Sequence, residues 1–101
     1  MSFAFLADVS VPEKLTVDSV TATSAVVRWS LSHRMEQTPH SFLISYQTEG
    51  TEPETISTEA QSTVMTELKP YTEYTVCVST QLQYGIRSQP ASTTIHTGLA
   101  F

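Results

Sequence analysis

Hydrophobic and polar residues alternate in several short runs along this chain, and turn-forming residues separate the runs roughly every 8–12 positions. In the second run Ala25, Val27 and Trp29 share one face, opposite Val26 and Arg28. Alternation with a period of two is typical of a strand that is buried on one side. A tryptophan is costly to leave in water, so the face that carries Trp29 is the buried one.

Six further runs follow the same rule, and none has the period of a helix. They contain Leu15 and Val17; Phe42, Ile44 and Tyr46; residues 55–57; residues 63–68; residues 74–78; and residues 91–97. Thr, Val and Ser, which suit a pleated, half-buried surface, are abundant. The pattern predicts an all-β fold, a seven-stranded antiparallel β-sandwich.

The length of 101 residues fits a single domain. We expect residues 1–11 to be an N-terminal extension or linker, residues 12–97 to be the domain, and residues 98–101 to be a C-terminal linker. Two apolar end segments, Phe3–Leu6 and Leu99–Phe101, look like the cut edges of a longer protein.

The charge and the lengths of the apolar runs argue against two classes of partner, and the net charge is −5. The five basic residues are scattered, so they form no stripe that could neutralise phosphates; they are Lys14, Arg28, Arg34, Lys69 and Arg87. We expect no nucleic-acid partner and, since no apolar run reaches the roughly 18 residues of a membrane span, no direct membrane insertion.

Several ordered motifs resemble the fibronectin type III family over about residues 12–97. They are Pro12 with Leu15-x-Val17, Ser24-x-Val26-x-x-Trp29, Phe42-x-Ile44-x-Tyr46, Leu68-x-Pro70-x-Thr72-x-Tyr74-x-Val76-x-Val78, Gly85-x-x-Ser88-x-Pro90 and a closing Thr97. The ending Thr97-Gly98-Leu99 is similar to junctions in tenascin-like matrix or receptor modules. The resemblance implies an immunoglobulin-like sandwich that binds and spaces, with no catalysis and no cofactor.

The structural core implied by this resemblance consists of Trp29, Tyr46, Leu68, Tyr74 and Val76. Among them, Leu68 to Tyr74 resembles a tyrosine corner, in which the tyrosine ring packs in the core and its hydroxyl reaches back to the backbone of the preceding turn.

The family topology implies that the chain termini lie at opposite poles. It puts the loops 31–40 and 82–89 beside the N-terminus and the turns 48–53 and 69–72 beside the C-terminus. Such an arrangement suits a linear row of domains within one chain. The expected partners are therefore neighbouring domains of the same chain and a protein of unknown identity.

The loop 82–88 is the best candidate for binding a partner, because Tyr84, Ile86 and Arg87 are of the kinds that dominate interface energies. Arg34 and Met35 lie on the loop at the same pole. The alternative is that Tyr84 and Ile86 only close the hairpin over the end of the core. The loop lacks the Arg-Gly-Asp motif that integrin-binding family members often carry there. Where cytokine receptors carry Trp-Ser-x-Trp-Ser, this chain has Arg87-Ser88-Gln89-Pro90.

Catalytic and metal sites are not predicted. His33, His40 and His96 are candidate bases, but no Gly-x-Ser-x-Gly accompanies them. Two histidines in one loop fall short of a zinc set, and the glutamates of residues 49–54 lack the spacing of a calcium loop. We therefore expect no enzyme activity, no metal and no cofactor.

The single cysteine, Cys77, excludes an internal disulfide. It faces opposite Val76 and Val78, so we expect it on the outer face of the sheet formed by strands three, four, six and seven. It is either a small, partly covered hydrophobe or a contact with a partner or a second copy of the chain. A monomer or a weak dimer is expected.

The compartment has two interpretations. The first is a module of an extracellular matrix, adhesion or receptor protein, at the cell surface or outside it. The second is a cytoplasmic scaffolding module of a cytoskeletal or signalling protein, which the absence of asparagine, and hence of N-glycosylation sites, equally permits. An isolated binding scaffold is a third possibility.

Overall fold

Two antiparallel sheets face each other in this computed structural model, which describes residues 9–32 and 38–98. The first sheet has the order β1-β2-β5 and the second the order β4-β3-β6-β7. The strands are β1 (Glu13–Val20), β2 (Ala25–Ser30), β3 (Ser41–Gln47), β4 (Glu54–Thr58), β5 (Ser62–Met65), β6 (Glu73–Gln81) and β7 (Ala91–His96). The predicted seven-stranded antiparallel sandwich is confirmed.

The fifth predicted strand is shorter than expected. β5 ends at Met65, whereas the alternation suggested that it continued to Leu68. Glu67 has a φ of 58°, and this left-handed conformation interrupts the extended backbone just after Met65. The Leu68 N–H then donates to the Thr23 carbonyl at 2.9 Å, outside the regular ladder.

The sixth strand is longer than predicted, and a short turn of 3-10 helix, Gln83–Gly85, follows it. The extension pairs Phe42 with Thr80 and Ser41 with Gln81. Alternation alone did not reveal it because Ser79-Thr80-Gln81 is polar throughout. Its backbone pairing with β3 keeps this segment in the sheet.

The core lies between the inner faces of the two sheets. Trp29 of β2 packs edge-to-face against Phe42 of β3, with ring centroids 5.4 Å apart. The buried apolar residues are Ala25, Val27, Trp29, Phe42, Ile44, Met65, Leu68, Tyr74, Val76, Val78 and Ile95, and Tyr46 is partly buried against them. The predicted apolar faces of β2, β3 and β6 form the centre of the core, and Leu15 and Val17 of β1 and Ile56 of β4 are partly buried at its edge.

One polar side chain in this core predicts a stabilising substitution. Thr80 is fully buried, and its Oγ1 has no hydrogen-bond partner. The bonds between Thr80 and Ser88 use only the backbone of Thr80. Replacing Thr80 with valine keeps the shape and removes an unsatisfied hydroxyl, so the free energy of unfolding should rise by about 1 kcal/mol.

Urea denaturation of the wild type and of Thr80→Val checks this expectation. Thr75→Val is the matched control, because Thr75 lies on the exposed face of the same strand and its change should have little effect. A loss of stability in Thr80→Val would mean that the hydroxyl has a buried partner such as a water molecule.

The strand registers put the two ends of the domain at opposite poles. Glu13 pairs with Ser30, so the start of β1 lies beside the end of β2. Ser41 pairs with Gln81, so the β6–β7 connection lies at that same pole. Residues 33–37 of the neighbouring loop lie outside the described residues. β7 runs from this pole to the opposite one, where Gly98 follows it.

Candidate protein-interaction surfaces

Residues 82–90 connect β6 to β7 as a hairpin with a tyrosine at its tip, and we call this connection the Tyr84 hairpin. The Leu82 N–H donates to the Ile86 carbonyl at 2.7 Å and closes the loop. Two successive residues, Tyr84 with a φ of 63° and Gly85 with a φ of 76°, turn the chain. The left-handed region suits glycine, but for a bulky residue such as tyrosine it is strained.

The Tyr84 side chain is 95% exposed, so its ring does not cover the core. Ile86 is half-buried and Arg87 is exposed. Arg87 pairs with Gln81 across the base of the hairpin through an isolated β-bridge. The structure thus groups Tyr84 and Arg87 on one hairpin. The other two predicted binding residues, Arg34 and Met35, lie outside the described residues.

The opposite pole contains the tyrosine corner. Tyr74 is buried, and its hydroxyl accepts a hydrogen bond from the Lys69 N–H at 2.8 Å. Leu68, immediately before Lys69, is also buried. The ring of Tyr46 lies beside that of Tyr74, with centroids 6.4 Å apart and planes tilted by 60°. The sequence motif and this geometry therefore agree on how the β5–β6 connection is anchored.

A cleft of about 260 Å³ opens beside this corner. Its aromatic and apolar lining comes from Tyr46, Tyr74 and Leu68. The charged lining residues are Glu52, Glu54, Glu67 and Lys69, all exposed, and the uncharged polar ones are Gln47, Thr48, Thr51 and Thr66. Burial raises the pKa of the Tyr46 phenol, and the Glu54 and Glu67 carboxylates and Tyr74 raise it further. The phenol therefore stays neutral and keeps its proton at physiological pH.

Sequence reasoning did not identify this cleft. It assigned Tyr46 to the core and considered Glu52 and Glu54 only as members of a calcium loop, which their spacing does not fit. The pairing of Tyr46 with Glu54 across β3 and β4 brings these two residues together. Only the approach of Glu67 from the other side of the sandwich completes the cleft, and no local sequence signal reports that approach.

The end of the domain is fixed by a cluster of hydrogen bonds, the exit clamp, formed by Thr97 and Gly98. The buried Thr97 hydroxyl donates to the Lys69 carbonyl at 2.6 Å and accepts from the Thr72 N–H at 2.8 Å. The Gly98 N–H donates to the Thr21 carbonyl at 3.1 Å. The exit clamp thus ties the chain to the β1–β2 turn of the three-stranded sheet and to the β5–β6 turn, which connects the two sheets.

Cys77 lies on the outer face of the four-stranded sheet and is half-buried. Its nearest polar contact is the Ser92 hydroxyl, 3.6 Å from Sγ. His96 instead faces the Glu73 carboxylate at 3.6 Å. The contacts of Cys77 in the described residues are therefore those of a surface thiol beside a hydroxyl, without a histidine base.

Residues 9–32 and 38–98 lack two further kinds of feature. In these ranges no three side chains of the metal-binding types come together in a way that could hold an ion. The same ranges contain no helix of the length and apolarity needed to cross a membrane.

A two-sheet, seven-stranded sandwich with a tyrosine corner and a buried tryptophan defines an immunoglobulin-like β-sandwich module. A sequence model of the family described as "Fibronectin type III domain" matches residues 10–96. The chain belongs to the fibronectin type III family. Domains of this family are typically non-catalytic modules that mediate protein interactions within multidomain chains.

Solved structures with the same fold come from several animal proteins. An FN3 domain of human collagen XX is 26% identical, with a TM-score of 0.75 over 86% of this chain and 90% of that one. The FN5 domain of Drosophila Lar is 20% identical, with a TM-score of 0.74 over 91% and 99%. The FN1-FN3 domains of chicken CNTN1 are 22% identical, with a TM-score of 0.78; the match covers 89% of this chain and 32% of that one. The search of curated proteins finds no match.

Proposed function

We propose that this domain is a non-catalytic interaction and spacer module, one of several in an extracellular matrix, adhesion or receptor protein. In this proposal it contacts its protein partner through the Tyr84 hairpin. The observation that carries the proposal is the 95% exposed Tyr84 ring on a strained backbone at the tip of this hairpin. Residues 12–97 form the domain in this proposal, and the segments on either side link it to its neighbours.

The energetics of Tyr84 favour a role in binding. A non-glycine residue in the left-handed conformation lowers the stability of the fold by about 1–2 kcal/mol. Because the ring is exposed, its packing does not offset this loss. Tyr71, which is 78% exposed with a φ of 53°, has the same cost, so the choice of Tyr84 rests on its place at the hairpin tip beside Arg87. Tyrosine and arginine are enriched among the residues that dominate binding energies, and Arg87 lies on the same hairpin.

The spacer role is supported by the positions of the two ends of the domain. The strand β1 begins at the pole of the Tyr84 hairpin, and Gly98 leaves at the other pole, held by the exit clamp. A chain that enters at one pole and leaves at the other separates its neighbours by the length of the domain.

The extracellular assignment is supported by similarity alone. The domains described above come from collagen XX, CNTN1 and Lar, and the first of these is a matrix protein by name. One observation favours the alternative, a cytoplasmic scaffolding module: Cys77 is a free thiol, and free thiols persist in reducing compartments.

Site-specific photocrosslinking in the protein's native cells tests the proposal. With p-benzoylphenylalanine at position 84, we expect covalent adducts with another protein on irradiation. The control carries the same residue at Thr94, which is exposed on β7 outside both the hairpin and the cleft, and it should give several-fold fewer adducts. Equal yields at both positions would contradict binding through the hairpin. Protease added outside intact cells should digest the adduct, and a protected adduct would favour the cytoplasmic alternative.

A further inference from the structure

The cleft beside the tyrosine corner has the size of a site for one side chain. Its volume of about 260 Å³ is below the roughly 300–1,000 Å³ of pockets that enclose small molecules and cofactors. The half-buried Tyr46 and the buried Leu68 and Tyr74 contribute its least exposed surface. A long, slender group from another protein suits these dimensions better than a free metabolite does.

The charge of the lining selects a cation. Three glutamates and one lysine line the cleft, in a chain whose net charge is −5. Between described residues Asp18 pairs with Arg28, and the Glu73 carboxylate lies 3.6 Å from the His96 ring, so neither contact neutralises a glutamate of the cleft. An anionic ligand would be repelled here. A metal ion does not fit either, because the described residues contain no clustered ligand set.

Two neighbouring tyrosines at this pole differ in what their hydroxyls do. The Tyr74 hydroxyl accepts the Lys69 N–H and anchors the turn. No hydrogen bond between described residues uses the Tyr46 hydroxyl, although the Tyr46 ring lies beside that of Tyr74. Tyr46 therefore offers an aromatic ring and a neutral phenol to a ligand, and aromatic rings attract organic cations.

The Glu54 and Glu67 carboxylates line the cleft with Tyr46 and come from two parts of the fold. Glu54 lies directly opposite Tyr46 on β4, and Glu67 comes from the connection between β5 and β6. Both act on the same phenol electrostatically, and with burial they hold its pKa above the ordinary value. A ligand that satisfies both carboxylates needs N–H groups directed to more than one side. A guanidinium has five such donors in a planar fork, whereas an ammonium is a compact point charge.

We propose that this cleft binds an arginine side chain presented by a basic segment of a protein partner. The guanidinium lies between the Glu54 and Glu67 carboxylates and against the Tyr46 ring. This site is at the pole opposite the Tyr84 hairpin, so it gives the module a second contact that does not depend on the first.

Titration of the 101-residue chain with short peptides, followed by ¹⁵N–¹H NMR, tests the proposal. The probe is acetyl-Gly-Arg-Gly-amide, and the matched control replaces arginine with citrulline, which has nearly the same shape without the charge. We expect saturable shifts centred on Tyr46, Leu68 and the amides around Glu54 and Glu67 with the arginine peptide. Added salt should weaken this binding because the glutamates are exposed to solvent. The citrulline peptide should give no saturable shifts.

Variants then identify the groups responsible. The double substitution Glu54→Gln and Glu67→Gln should weaken arginine binding by about tenfold or more, since it removes both charged acceptors. The control, Glu13→Gln with Glu59→Gln, removes the same charge from exposed positions elsewhere and should bind nearly as the wild type does. Tyr46→Phe should weaken binding a few-fold if the phenol accepts or donates a hydrogen bond to the ligand.

Three outcomes would overturn the proposal. The first is equal binding of the citrulline peptide, and the second is an equal loss of affinity in the two double variants. The third is equal binding of acetyl-Gly-Lys-Gly-amide, which would mean that the cleft recognises positive charge without selecting arginine. Unchanged amide spectra of the free variants, away from the substituted positions, ensure that a loss of binding is not a loss of fold.

Discussion

Replacing Trp29 with alanine is expected to lower the free energy of unfolding by about 3–5 kcal/mol. The Trp29 side chain is 4% exposed, and it packs between the sheets against Phe42 of β3. Because a domain of this size is stable by only about 5–15 kcal/mol in total, this single change removes a large part of the stability. Trp29→Phe should cost less, since the indole N–H has no hydrogen-bond partner to lose.

Urea denaturation followed by far-ultraviolet circular dichroism measures this loss. Trp29 is the single tryptophan of the chain, so tryptophan fluorescence cannot follow the variants. Tyr71→Ala is the control, because the Tyr71 ring is largely exposed and its removal should change stability little. A loss below about 1 kcal/mol for Trp29→Ala would contradict the assignment of this residue to the centre of the core.

Tyr74 is the second position where a large effect is expected. Tyr74→Ala should cost about 3–5 kcal/mol because it empties part of the core. Tyr74→Phe keeps the ring and should cost about 1–2 kcal/mol, since the Lys69 N–H loses its acceptor. The difference between the two variants separates the packing of the ring from the anchoring of the turn.

The same denaturation experiment applies to both Tyr74 variants, and the chain offers a chemically matched control. Tyr84→Phe removes the same hydroxyl from a fully exposed ring, so stability should not change. If Tyr74→Phe were as stable as the wild type, the hydrogen bond to Lys69 would contribute nothing to the turn and the corner would be held by packing alone.

The parts of the fold that could be predicted are those in which neighbouring residues in sequence share a role. The alternation Ala25-Val27-Trp29 defines the buried face of β2 without reference to any other strand. The spacing from Leu68 to Tyr74 is also local, because the hydroxyl returns to a residue only five positions earlier. Local spacing is visible in a sequence, and these predictions rested on it.

The features that escaped prediction depend on contacts between distant segments or on the conformation of a single residue. The cleft joins Tyr46, Glu54 and Glu67, which come together only when the two sheets pack. The burial of Thr80 depends on the pairing of β6 with Phe42, and its polar neighbours gave no sign of it. The turn at Gly85 was foreseeable, but the left-handed conformation and full exposure of Tyr84 were not.

The exit clamp determines how this domain responds to mechanical tension. A pull on the chain beyond Gly98 acts along β7. The hydrogen bonds between β7 and β6 lie across that direction. The force therefore loads these bonds together in shear and does not break them one by one. The bond from Gly98 to Thr21 passes part of the same load to the opposite sheet. Tension applied to the chain beyond Gly98 therefore reaches both layers of the sandwich at once, which makes the carboxyl end a load-sharing attachment point.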